Sequence, residues 1–263
     1  MPTIDFKNTL RGVDPTIVGL PTSLARIGVD VPDDITSALG AARWTVSPPD
    51  LSGLMRAVAE AKTQDEFNAR AFELAQARVI GDFIETDSVF RQFHQSLAAQ
   101  RLLDAVHRHG EDLIARVIEV YDPHARVFSE ALAAVPDLTG TGLFDLSPDQ
   151  AAAMQTAKTE ALEMTAALAA YDGLARGLGH KVNPGNGPRV EAAFSRATQI
   201  GEFPDAQSMA GAADLINAYA SQDGTTTLYA PLAPHAAVVL KGGTLRLAHP
   251  AHARAHLDSL LAE

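Results

Sequence analysis

A chain of 263 residues, 46% hydrophobic and 20% charged, can bury one large core or two smaller ones, which excludes wholesale disorder. It contains no cysteine, so disulfides, thiolate metal sites and a cysteine nucleophile are excluded. The net charge of −11 argues against a protein that coats phosphate backbones, and no nucleic-acid partner is expected.

No apolar run approaches the length of a membrane span, so no membrane partner is expected either. The opening Met1-Pro2-Thr3-Ile4-Asp5-Phe6-Lys7 lacks the cationic start and apolar stretch of a signal peptide. A cytoplasmic location, or one inside an intracellularly assembled particle, is the expectation. Aromatic residues are sparse at 6% and much of the apolar content is alanine, which favours helices packed closely together. Arginine outnumbers lysine by 16 to 5, a composition typical of GC-rich bacterial or phage coding.

Residues 1–48 open the chain with apolar side chains whose periodicity is broken by Gly12, Pro15, Gly19, Pro21, Gly28 and Pro32. The expectation is an extended arm with at most a short strand at Ile4-Asp5-Phe6 and a short helix near 34–39. Such an arm needs a surface to cover it, on its own chain or on a neighbour. Trp44, the only tryptophan, is expected to anchor it.

Helices follow. Ser47-Pro48-Pro49-Asp50 starts one, and Thr63-Gln64-Asp65-Glu66 is a capping box that starts another. In that second helix Phe67, Phe72, Leu74, Val79 and Phe83 make more than one side apolar, which predicts a central helix. Further helices are expected over 87–107 and around 113–121, and Asp122-Pro123 predicts the start of a short one. Ser147-Pro148-Asp149-Gln150 is a second capping box. After it Met154, Ala157, Ala161, Met164, Leu168, Tyr171, Ala175 and Leu178 recur at alternating steps of three and four, a seam for close helix packing.

Gly179–Pro188 reads as a turn-rich domain boundary, followed by helices near 189–198 and 204–220. Strands are expected at 225–230, 236–240 and 244–248, the last two joined as a hairpin by Lys241-Gly242-Gly243. A helix closes the chain. The fold class is therefore mainly α: an extended arm over 1–48, a helical bundle over 49–178 and a small α+β region, a β-hairpin plus helix, over 179–263.

Three clusters could carry chemistry. In His249-Pro250-Ala251-His252-Ala253-Arg254-Ala255-His256, a helix starting at Pro250 projects His252 and His256 from one face with His249 a turn earlier. That spacing suits zinc or another divalent metal, although the glutamate of a metalloprotease motif is missing. Asp104-Ala105-Val106-His107 has carboxylate–histidine spacing without the second copy that a di-iron bundle requires, and a surface ion-pair network with Arg101 and Arg108 is the plainer reading. The loop opening at Gly179 could cradle an anion with Lys181 and Arg189, although Gly, Pro and Asn are what any turn requires. His94 and His124 stand alone.

Three functional readings remain. The first is a non-catalytic interaction or assembly subunit: a scaffold, an adaptor, or a phage or particle component. It would meet a protein partner, or itself, through residues 1–48 and its helix faces. The second is a metal-dependent enzyme with its site near the C-terminal histidines. The third is a small-molecule-binding regulatory module.

Overall fold

The structure, a computed structural model, describes residues 13–41, 49–86, 88–135, 146–180, 189–221 and 232–260. It is mainly helical, with one small two-stranded antiparallel sheet. The chain forms two compact units: Met1–Val13 with Thr36–Leu102, and Asp14–Ile35 with Leu103–Glu263. The expected strands at 4–6 and 225–230, and Trp44, lie outside the described residues.

In the first unit α4 (Leu51–Ala59) and α5 (Gln64–Thr86) pack as a helical hairpin. Asp50 caps α4 by accepting the Gly53 amide at 2.9 Å. Thr63 caps α5 by accepting the Glu66 amide at 3.2 Å, while the Glu66 carboxylate turns back to the Lys62 amide at 2.9 Å. The Arg70 guanidinium donates to the Ala57 carbonyl at 2.8 Å and ties the two helices together. α5 is not the central helix that its two apolar sides predict. No residue of α4 is buried, and among the described side chains of α5 only Ala77 and Gly81 are.

The second unit is built around α7 (Pro148–Gly177), one continuous helix opened by the Ser147–Gln150 capping box. All the expected seam positions from Met154 to Ala175 are buried, and from Ala166 onward the opposite side is buried as well. The reason is that α1 (Pro15–Val18) and α2 (Leu20–Arg26) lie on α7. This part of the expected arm is helical and packed on its own chain: Asp14 accepts the Thr16 amide at 2.9 Å, and Pro15 and Pro21 sit in first turns, where a missing N–H costs nothing. α3 (Asp33–Ala41) is helical too.

α6 runs unbroken from Ser88 to Ala133 with Pro123 inside it, so Asp122-Pro123 does not begin a new helix. Buried residues at 106, 110, 113, 117, 121, 125, 128 and 132 keep a three-and-four step through the proline, and this continuous packing outweighs the lost backbone bond. α6 and α7 approach closely. A Cβ on Gly177 would lie 2.5 Å from Val106 Cγ1, and one on Gly110 would lie 2.8 Å from Leu178 Cδ2.

Beyond α7 come α8 (Arg189–Ile200), β1 (Gly201–Glu202), α9 (Ala206–Ser221), α10 (His235–Leu240), β2 (Thr244–Leu245) and α11 (Pro250–Leu260). The expected hairpin over 236–248 is not formed. Residues 235–240 are helical, and Gly242, with φ of 76°, supplies the left-handed turn that ends α10. Its amide bonds the Val239 carbonyl at 3.0 Å and the Gly243 amide bonds that of Val238 at 2.9 Å. β2 pairs with β1 instead, Gly201 opposite Leu245. A short valine-rich run before two glycines fits a strand and a buried helix equally well, and here His235, Ala236, Ala237 and Val238 are buried as the start of a helix.

Candidate functional site

The second unit gathers titratable side chains in two places. The first lies where the end of α7 and the start of α11 reach the middle of α6. At the end of α7, Gly179 takes φ of 79°, the His180 amide bonds the Ala175 carbonyl at 2.8 Å and the Gly179 amide bonds Arg176 at 3.0 Å. This Schellman turn fixes the direction in which His180 leaves the helix.

The start of α11 is fixed from behind. The Arg246 and Ala248 amides donate to the Ile200 and Gln199 carbonyls at 3.0 and 2.8 Å, and the Tyr171 hydroxyl donates to the Ala248 carbonyl at 2.9 Å. His249 follows directly, and its carbonyl accepts the Ala253 amide.

Glu111 stands between the two histidines. His249 Nε2 donates to one carboxylate oxygen at 2.6 Å, and His180 Nε2 lies 4.0 Å from the other. The His249 ring is centred 6.1 Å from His180 and 5.5 Å from His252. His256 lies elsewhere on α11, its Nε2 buried with no hydrogen-bond partner among the described residues. Among the described residues no three histidine or acidic side chains are placed to hold a metal ion. What the structure joins to His249 is Glu111 and His180, not the third histidine of the sequence motif. Sequence spacing could not reveal this, because Glu111 lies 138 residues away.

The second place is the core. His235 is wholly buried at the start of α10. Its Nδ1 lies 3.1 Å from the Tyr121 hydroxyl, and its Nε2 lies 3.5 Å from Thr165 Oγ1. Thr165 spends its own hydroxyl proton on the Ala161 carbonyl at 2.7 Å, so its oxygen can only accept from His235. That assigns the neutral ring with its proton on Nε2 and with Nδ1 accepting from Tyr121. Phe128 presents an edge contact to the ring, centred 6.1 Å away. Burial pushes the His235 imidazole down to about 3, with Arg196 adding to the effect, and burial raises the Tyr121 hydroxyl above its ordinary value of 10.0. A ring held neutral among apolar neighbours, with both nitrogens engaged, is a core hydrogen-bonding group.

The remaining pairs are structural. Arg196 holds Asp172 through two bonds of 3.0 and 2.7 Å in a mostly buried site between α8 and α7. His124 is not alone, since its Nδ1 lies 2.6 Å from Glu160 on α7. Asp104 and His107 are exposed, and Arg108 pairs with Asp34, as does His109 at 3.0 Å. Lys181 lies outside the described residues, as does the side chain of Arg189 at the start of α8.

The first unit presents a different kind of feature. Met55, Phe67, Phe72, Val79 and Ile80 are 61, 46, 64, 69 and 52% exposed, and they account for five of the eight large hydrophobic side chains exposed among the described residues. Leu74, Ala77 and Gly81 lie on the side of α5 turned to α4, while Phe72 and Val79 lie on the opposite side, seven residues apart. α5 therefore carries two apolar faces and covers only one. No helix among the described residues is long and apolar enough to cross a membrane.

No family model matches the chain, and comparison with curated proteins and with solved structures likewise gives no match.

Proposed function

We propose that this protein is a non-catalytic interaction or assembly subunit whose contact surface is the outer face of the α4–α5 hairpin. One observation carries the reading. Five large apolar side chains are exposed on a hairpin in which α4 buries nothing and α5 buries little. Exposed apolar patches on proteins that keep them mark surfaces that meet another macromolecule. A helical hairpin that buries so little of itself gains little stability from its own packing and gains more when its outer face is covered.

On this reading the contact surface lies on the helices. The described part of the N-terminal arm, Pro15–Arg26, already packs on α7. The polar clusters of the second unit support structural roles: a neutral buried histidine, a two-bond ion pair and a histidine–glutamate contact between α11 and α6.

Photo-crosslinking in the native host tests the reading. A photoreactive residue at position 72 or 79 is expected to give covalent adducts, and the same group at the exposed Ala169 is expected to give none. Equal, background-level labelling at all three positions would overturn it.

A further inference from the structure

We infer that Glu111, His180 and His249, with His252 beside them, take up a divalent cation of the zinc class, which would tie α6 to the end of α7 and the start of α11. The site lies in the second unit and stands independently of the role proposed for α5.

Three observations carry it. The first is the gathering of ligand types. Three of the chain's nine histidines meet one carboxylate here. Glu111 stands on α6, His180 follows α7, His249 precedes α11 and His252 lies in its first turn. In a chain without cysteine, imidazole nitrogens and a carboxylate oxygen are the donor set that suits a borderline cation such as zinc.

The second is distance. His249 Nε2 and His180 Nε2 both face the Glu111 carboxylate, at 2.6 and 4.0 Å. Two atoms bound tetrahedrally to one zinc, each at ~2.1 Å, lie ~3.4 Å apart, and the two separations fall on either side of that value. The ring centroids, 6.1 Å apart for His180 and His249 and 5.5 Å for His249 and His252, match the roughly 5–6 Å between imidazoles that share a zinc. As they stand these groups hold a proton and not an ion. Uptake requires Glu111, whose side chain is 60% exposed, to turn toward His180. It also requires the His249 proton to pass through solvent from Nε2 to Nδ1, which frees the Nε2 lone pair for the cation.

The third is support. The backbone of His180 is fixed by the Schellman turn at Gly179, and that of His249 by the bond of Tyr171 to the Ala248 carbonyl. The His180 and His249 side chains are 30 and 28% exposed, and His252 is exposed. Fixed backbones with an adjustable carboxylate and an open side let a hydrated cation enter and lose its water.

Calorimetric titration with zinc alone tests the site, on the full chain purified without an affinity tag and stripped by a chelator. Zinc should bind with one equivalent and raise the thermal midpoint. Magnesium, which takes oxygen ligands, should do neither. H180A and H249A should each weaken zinc binding by at least ~10-fold, the loss that even a group behind a ligand causes. E111Q keeps the size of an exposed side chain and should weaken binding likewise, with unchanged circular dichroism in the metal-free state. It decides the matter if a histidine variant fails to fold. H256A should bind zinc as the wild type does. No uptake by the wild-type chain overturns the inference, as does binding undiminished in H180A and E111Q. Binding lost in H256A but kept in H180A would place the ion on the α11 histidines alone and overturns it too.

Discussion

Burial decides the protonation of His235, and through it the response of the fold to acid. The folded imidazole titrates near 3 and the ordinary value is 6.5, so between these values the unfolded chain binds a proton that the folded chain refuses. Stability is therefore complete above about pH 6.5 and falls as pH drops toward 3. H235Q should flatten this acid slope in urea titrations run from pH 7 to 4, and an unchanged slope would contradict the account. Asp14 and Asp34 act in the same direction at lower pH. Burial pulls both upward but is outweighed by Thr16 and Arg176 around Asp14 and by His109 and Arg108 around Asp34, which hold them below the usual carboxylate range. Removing the Tyr121 hydroxyl leaves His235 Nδ1 without its donor, so Y121F should cost ~1–3 kcal/mol by denaturant unfolding. D172A leaves the Arg196 charge unpaired in a mostly buried site and should cost more, ~3 kcal/mol.

At the scale of elements, the helix starts were written locally and were legible. The boxes at Ser147–Gln150 and Thr63–Glu66 involve neighbours three residues apart, and the α7 seam needs no knowledge of its partner. Elements whose identity depends on distant packing were not legible. Pro123 reads as a helix start until the burial of Tyr121, Ala125 and Phe128 shows one continuous face. Gly242-Gly243 reads as a hairpin turn until the core claims residues 235–240 as helix. Two apolar sides on α5 were read as a central position, although the sequence records only that they are apolar and not what covers them. The contact of His249 with Glu111 and His180 was invisible for the same reason. Close approach between helices also yields a contrast: G177A drives a methyl group against Val106 and should cost ~1–3 kcal/mol. G40A adds one near the end of α3, where nothing lies within 4 Å, and should stabilise by up to ~1 kcal/mol. Thermal unfolding of the two variants should move in opposite directions.

For the whole molecule, the two units differ in how they meet the cost of folding. The second encloses α7 on several sides and closes its interior with Tyr121, Tyr171, Phe128 and His235, satisfying the buried polar groups of its tyrosines and histidine as it does so. In the first unit α4 and α5 leave Met55, Phe67, Phe72, Val79 and Ile80 exposed. A chain that buries alanine deep in one unit and displays phenylalanine on the other has its interior complete in one place and incomplete in the other. On the proposed function, a partner that covers the α5 outer face completes it. Amide hydrogen exchange on the purified chain reads the difference between the units most directly. Amides over 72–80 should exchange far faster than those over 164–175 of α7. Equal protection in the two helices would contradict the account.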